Sequence, residues 1–294
     1  MNTATTSVLE SERYCRALTR KSATSFYYAF KTLPRRKARA FEIVYAFMRI
    51  SDDKSDDAID RDRRDALVEW RTMLHAALNG DPGGHLVMPA LMDVVREFEI
   101  KPQWLDELID GVEQDLVVTR FATTQELRDY CYKVASVVGL VSLRIFGLER
   151  PSDAAWQDAE RLAIDCGQAF QLTNILRDVK EDLERDRIYL PQDVLGRFQI
   201  GEADLRSLRC DDRFRAMMKF LVARAEADYA GSEALVARIE RDARPCLATM
   251  RGIYHGILER IVAADYDVFR HRARLPLTRK LGIAARALLG RFRP

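Results

Sequence analysis

Apolar residues recur at three- and four-residue spacing along nearly the whole chain, as in ALVEWRTMLHAAL (66–78), PALMDVVREFEI (89–100), WLDELIDGVEQDL (104–116) and AMMKFLVARAEADYA (216–230). This period belongs to amphipathic helices, and no extended apolar/polar alternation marks a strand, so the pattern predicts an all-α fold. Breaks are short: Leu33 to Arg35, Asn79 to Gly84, Ile100 to Pro102, Gly147 to Asp153, and Leu190 to Asp204. None has the length or bias of an interdomain linker, and the expectation is one domain over residues 1–294 built from about eight to ten helices.

Composition narrows the function classes. The chain has 294 residues, 48% hydrophobic and 31% charged, with a formal net charge of +2. Without a strong basic excess or a central basic block, nucleic acid is not an expected partner. Five scattered cysteines without a C-x-x-C pair suit a reducing cytoplasm rather than a disulfide framework or zinc site. The four histidines follow no ligand spacing, and NGDPGG (79–84) has the form of a turn, not of a phosphate loop. The N-terminal stretch lacks the apolar core of a signal peptide, and no segment is apolar enough for long enough to cross a bilayer, so a cytoplasmic protein is expected. Charge is uneven only at the end. From about residue 270 to 294 eight Arg and Lys residues interleave with leucines and no acid, as in a basic amphipathic tail on an anionic membrane face or, alternatively, a solvated terminus.

Two acidic clusters interrupt otherwise good helices. In FEIVYAFMRISDDKSDD (41–57) a helix puts Arg49, Asp52, Asp53 and Asp56 on one face, with Tyr45 one turn upstream. In QLTNILRDVKEDLERDRIYLP (171–191), Asn174, Asp178 and Asp182 are spaced by four, Gln171 lies one turn before them, and Glu181 borders the stripe. Capping could explain a lone Asp, for instance Ser51 or Asp52 as an N-cap. Both clusters instead follow long apolar-periodic runs, toward the helix ends where the macrodipole disfavours negative charge, and carboxylates at i and i+4 repel. Mg²⁺ would compensate, since it takes one or two carboxylates together with substrate phosphates. On this reading, removing Asp52 or Asp178 should abolish turnover and could relieve like-charge strain in the metal-free protein.

With both stripes in hand, the sequence resembles the squalene/phytoene synthase family, the head-to-head prenyl diphosphate synthases. The resemblance rests on SATSFYYAFKTLP (22–34), YAFMRISDDKSDD (45–57), YCYKVASVVGL (130–140) and QLTNILRDVKEDLERDRIYLP, in that order. It implies a single-domain class I isoprenoid synthase bundle around a central cavity. It also implies Mg²⁺ at Asp52, Asp56, Asn174, Asp178 and Asp182, and diphosphate contacts from Ser25, Arg49, Gln171, Arg177, Arg187, Tyr189 and Tyr254. Asp115 is a weaker candidate. Val134, Ala135 and Gly139 fall in the third motif and are either lining or close-packing positions.

The implied chemistry is ionisation of an allylic diphosphate, followed by attack of a second molecule's 2,3 double bond in a water-poor chamber. Phe26, Tyr27, Phe30, Tyr45, Phe47, Val134, Val138, Leu140, Phe170 and Leu172 are the candidate walls. Bulky Phe26 and Phe30 favour farnesyl over geranylgeranyl diphosphate, hence presqualene diphosphate or squalene. Phytoene synthesis and a non-catalytic assembly role are the alternatives, and NADPH use stays open. Asp186 reads as a solvated turn residue outside the ligand set.

Overall fold

The computed structural model describes residues 7–22, 26–56 and 60–290; the side chains of Phe26 and of 55, 56 and 60–62 lie outside that description. Its helices are α1 (Val8–Ser22), α2 (Phe26–Phe30), α3 (Arg35–Asp56), α4 (Asp60–Leu78), α5 (Met88–Glu97), α6 (Pro102–Val117), α7 (Thr124–Cys131), α8 (Val137–Phe146), α9 (Asp153–Arg177), α10 (Val179–Glu184), α11 (Gln192–Arg197), α12 (Glu202–Arg206), α13 (Asp212–Gly231), α14 (Leu235–Arg238), α15 (Arg244–Ala263) and α16 (Leu277–Leu288). Among the described residues β structure is limited to two isolated bridges, Arg120–Ile188 and Leu148–Ile239. The all-α expectation therefore holds. Among the described residues the helix count exceeds the eight to ten expected because five of the segments, α2, α10, α11, α12 and α14, are only four to six residues long and a π turn divides α7 from α8. Apolar periodicity over so short a window carries little signal.

Local chemistry accounts for the boundaries. Ser152 caps α9 by accepting from the Ala155 amide at 3.2 Å, Thr123 caps α7 through Glu126 at 3.1 Å, and Asp211 caps α13 through Phe214 at 2.9 Å. Proline occupies the first turn of α5, α6 and α15, where its missing N–H costs nothing. The NGDPGG turn is a short 3₁₀ element, Pro82–Gly84, with Asp81 accepting from Gly83 at 3.3 Å.

Helix α9 is the axis of the molecule. At 25 residues it runs about 37 Å, and it packs against α7, α8, α13, α14 and α15. Its first half contributes Ala159, Leu162, Ala163 and Cys166 to a core shared with α1, α3–α6 and α8. Its second half contributes Ala169, Leu172, Ile175 and Leu176 to another core, shared with α7, α10–α13 and the middle of α15. Phe170 touches both.

The helix beside α9 is irregular. Tyr132–Ser136 form one π-helical turn between α7 and α8, and two glycines let neighbouring helices approach it closely. A Cβ at Gly167 on α9 would stand 2.5 Å from the Ser136 Cα and 2.8 Å from the Ala135 carbonyl oxygen; at Gly111 on α6 it would stand 2.7 Å from a Val134 methyl. Gly139 likewise faces the Ala163 carbonyl, 2.9 Å from its ideal Cβ. Ser136 completes the seam by donating to the Ile164 carbonyl at 2.9 Å. Because backbone rather than flexible side chain opposes Gly167, Gly167→Ala should lower stability by about 2 kcal/mol or more, read as a fall in the urea midpoint. A midpoint within error of the parent would show that α9 can slide away from the π turn.

Candidate active site

The first acidic stripe ends α3. Ser51 is no cap: its hydroxyl donates to the Phe47 carbonyl at 3.0 Å and accepts from the Trp70 indole at 2.9 Å, deep inside the helix pair α3–α4. Beyond it the face turns outward. Arg49 forms an ion pair with Asp53, and Asp52 is exposed. Asp56 closes the helix, but its side chain, that of Phe26, and all of Ser25 fall outside the described residues. Tyr45, one turn inward, is half-buried beside Phe30, with ring centroids 6.2 Å apart.

The second stripe lies where α9 gives way to α10. Asp178 sits at the junction, outside helical geometry at φ −103° and ψ 14°, yet its amide still donates to the Asn174 carbonyl and the Asp182 amide donates to the Asp178 carbonyl, both at 2.9 Å. The four-residue spacing of Asn174, Asp178 and Asp182 thus survives the break, and the half-buried face reads Gln171, Asn174, Asp178, Glu181, Asp182.

Its two aspartates are not equivalent. Arg177 grips Asp178 with Nε–Oδ1 at 2.7 Å and Nη2–Oδ2 at 2.5 Å, and Arg272 adds Nε–Oδ1 at 2.6 Å. Burial disfavours the Asp178 charge, but hydrogen bonds from Arg177 and then Arg272 outweigh it and hold its pKa below the ordinary aspartate value. Asp182 is pushed up to about 7, first by burial and then by the charge on Asp178, with Arg187 and Arg185 opposing.

Tyr254, buried on α15, spans the space between the stripes. It stacks on Phe170 at 4.5 Å and 11°. Burial raises its pKa, against the Arg177 charge and a hydrogen bond from Asn174, and the same hydroxyl is an electrostatic neighbour of Tyr45 on α3.

The RIYLP segment is pinned beside the second stripe. The Ile188 amide donates to Thr119 at 2.9 Å and the Arg187 amide to the Asp182 carbonyl at 2.8 Å. Asp115, at the end of α6, accepts from both Tyr130 and Tyr189 at 3.0 Å each, while its carbonyl accepts from Arg187 at 3.3 Å. Tyr130, Tyr189 and Phe121 form a stack at 5.2–5.8 Å. Asp115 therefore sets the positions of Tyr189 and Arg187. Asp186 lies in the turn, as expected, at φ 57° and ion-paired to Arg120 and Arg206.

Four of the expected wall residues are buried: Phe30, Phe47, Leu140 and Leu172, at 5%, 0%, 3% and 8% exposure. Phe30 is buried against Phe41 at 5.1 Å, whereas Val134, Ala135, Val138, Gly139 and Phe170 keep one side half-accessible along the π turn, α8 and α9. Sequence patterning also missed Arg272, which is 94 residues from Asp178 and has no local signal of its own. It missed as well the joint use of Asp115 and Tyr130.

The donor set suits a hard cation. The Asn174 Oδ1 and Glu181 Oε2 atoms are buried without a hydrogen-bond partner, and Asp178 and Asp182 adjoin them, so the available donor atoms are all oxygen. Among the described residues no three acidic, His or Cys side chains already converge into a closed cage.

The sequence profile of the squalene/phytoene synthases matches residues 19–279. The chain belongs to the squalene/phytoene synthase family. It is 38% identical to a 15-cis-phytoene synthase from Synechocystis over 94% of this chain and 83% of that protein. It is 34% identical to a phytoene synthase from Mycobacterium tuberculosis over 96% and 92%. The fold is similar to a dehydrosqualene synthase crystal structure (TM-score 0.85, 31% identity, 95% and 96% coverage) and to a squalene synthase from Alicyclobacillus acidocaldarius (0.81, 28%, 88% and 95%). This squalene/phytoene synthase family member is thus a prenyltransferase of the head-to-head type with the class I isoprenoid synthase fold.

The arginines on Asp178 run against the expectation that its removal relieves like-charge strain. Asp178→Asn strands Arg177 and Arg272, so it should destabilise the metal-free protein. Asp182 is the strained group. Its folded pKa lies above the unfolded value near 4, so the native state holds the extra proton between about pH 4 and 7, and this contribution to stability fades as pH rises through 7. Melts in EDTA should show Asp182→Asn raising Tm at pH 8 by about 2 °C or more and flattening the decline from pH 5 to about 8. Equal effects of the two substitutions would refute this assignment.

Proposed function

We propose that the protein condenses two molecules of farnesyl diphosphate head to head to presqualene diphosphate, releasing inorganic diphosphate. The observation that carries this reading is the stripe of buried, partnerless oxygens at Asn174 and Glu181, set among Arg177, Arg187 and Tyr254. Acceptors beside donors are what a metal–diphosphate unit requires: oxygens for the cation, N–H and O–H groups for the phosphate oxygens.

Mg²⁺, held by Asn174, Asp178 and Asp182 on one side and by Asp52 and Asp56 on the other, would supply charge for the leaving diphosphate. Arg177, Arg187, Arg49 and Tyr254 hydrogen-bond its oxygens as the allylic C–O bond breaks and the electron pair leaves with oxygen. Gln171 and Ser25 orient the same group, and Asp115 keeps Tyr189 and Arg187 in place. The 2,3 double bond of the second substrate then attacks the cationic carbon, and a proton from that carbon passes to the released diphosphate as its C–H electron pair closes the cyclopropane. Phe30, Tyr45 and Phe170 keep water from the cation.

Support for a shorter substrate comes from α2. Phe30, packed on Phe41, sits beside Tyr45, and as the floor of the proposed chamber it would limit the depth available to a prenyl chain. This favours the C15 substrate, in line with the named activities of the dehydrosqualene and squalene synthase structures. The phytoene synthase names of the curated relatives favour a second reading, condensation of geranylgeranyl diphosphate to a C40 product.

Mass spectrometry of products from both diphosphates, with and without NADPH, separates the two readings. A C30 product is expected; C40 from the wild type would establish the second, and no diphosphate release from either substrate would leave an assembly role. Phe30→Leu should raise turnover of the C20 substrate relative to C15 by about tenfold, measured as kcat/KM ratios. An unchanged ratio would remove Phe30 from the chamber floor.

A further inference from the structure

Helix α16 has two unlike faces. Its inner face lies on α15: Ala284 and Ala287 are buried, and an Ile283 methyl stands 2.8 Å from the ideal Cβ position of Gly252, so α16 is docked. Lys280, on the same side, is close enough to Arg177 for that charge to lower its pKa, after burial as the larger cause. The segment leading into the helix returns Arg272 to Asp178. Thus α16 is anchored beside the second stripe.

The outer half has no protein partner among the described residues. At about 100° per residue, Leu277, Leu281 and Leu288 fall within one narrow row, and they are 51%, 47% and 59% exposed; Leu289 beside them is 70% exposed. Thr278, Gly282 and Ala285 fill the middle of this half, and Arg279 and Arg286 form its far edge. Arg270 and Arg274 are exposed just upstream, and no acidic residue follows Asp267.

We propose that this outer face of α16 docks on a lipid bilayer with anionic headgroups. Isolated exposed leucines are ordinary, but a row of them on an anchored helix is unsatisfied apolar surface. A basic edge without acids selects negatively charged lipid and disfavours a second copy of this chain, because a twofold contact would place like charges against one another. Twelve residues span too little to cross a bilayer, so the helix lies in the interface with its leucines among the acyl chains. Docking there sets the second stripe near the membrane, a placement suited to the long prenyl chain of the proposed product. The docking itself rests only on the exposed face.

Flotation of the full chain with phosphatidylglycerol-containing vesicles, compared with pure phosphatidylcholine, tests this directly. Binding should favour the anionic vesicles and weaken with salt. The double substitution Leu281→Asp/Leu288→Asp should cut the bound fraction by about tenfold or more, and Arg279→Glu/Arg286→Glu should abolish the anionic preference. Both variants should keep the parent's circular dichroism, melting temperature and turnover in detergent. Three results would overturn the proposal: no flotation of the wild type, leucine variants that float as well as the parent, or leucine variants that change only the oligomeric state in light scattering. Because detergent turnover is read separately, loss of docking and failure of the proposed chemistry are distinguishable.

Discussion

Oxygen-rich, negatively charged side chains gathered at the C-terminal end of a long buried helix form an arrangement that a folded chain must support from outside. The α9 macrodipole disfavours anions there, burial disfavours them further, and the four-residue spacing makes them repel. Much of the remaining architecture supplies the support. Arg177 comes from the same helix, Arg187 from the pinned segment after α10, and Arg272 from the far end of the chain. Where support is complete, at Asp178, the carboxylate is held ionised. Where it is partial, at Asp182, the same environment drives the group toward neutrality. The protein's own cations balance this local concentration of anionic oxygens only in part, and the proposal of an external cation rests on that imbalance.

The rest of the fold can be understood as the rigid mounting of that end. Helix α9 joins two apolar cores, and its contact with the π turn is so close that only glycine fits at 167. Packed backbone on both sides fixes the direction in which Asn174 and Asp178 point. On the opposite side α3 is clamped by Ser51 and Trp70 before its last turn emerges. Tyr254, stacked on Phe170 and neighbouring both Tyr45 and Asn174, brings α15 into the gap between the two stripes.

Legibility in the sequence followed the range of the interactions. Helical periodicity and four-residue spacing are local, so the all-α class, the breaks around Asn79–Gly84 and Gly147–Asp153, and the alignment of Asn174, Asp178 and Asp182 could be read directly. Helical wheels also ordered Arg49 with Asp53. They could not show that Arg49 pairs with Asp53, because that depends on side-chain reach. Arg272 could be assigned only to a basic tail, since its partner is remote in sequence. Asp115 stood out weakly because its task, accepting from two tyrosines of different segments, leaves no spacing signature. Phe30, Phe47, Leu140 and Leu172 could be read only as buried positions, because periodicity marks a buried face without telling a core from the wall of a chamber.

The C-terminal segment shows why charge inventories need geometry. Read as composition, the basic residues after Asp267 are one cluster. In the fold they separate into Arg272, committed to Asp178 and Glu181, Lys280 on the inner face of α16, and Arg279 and Arg286 on the outer face. Arg272 neutralises the stripe only from a position set by how α16 seats on α15, because Leu275 packs against Gly256 and Ile283 against Gly252. The charge balance of the site is therefore coupled mechanically to the docking of the terminal helix. A force that shifts α16 acts on Asp178 through Arg272, and ligands that draw Asp178 away from Arg272 loosen one of the ties that hold the helix down.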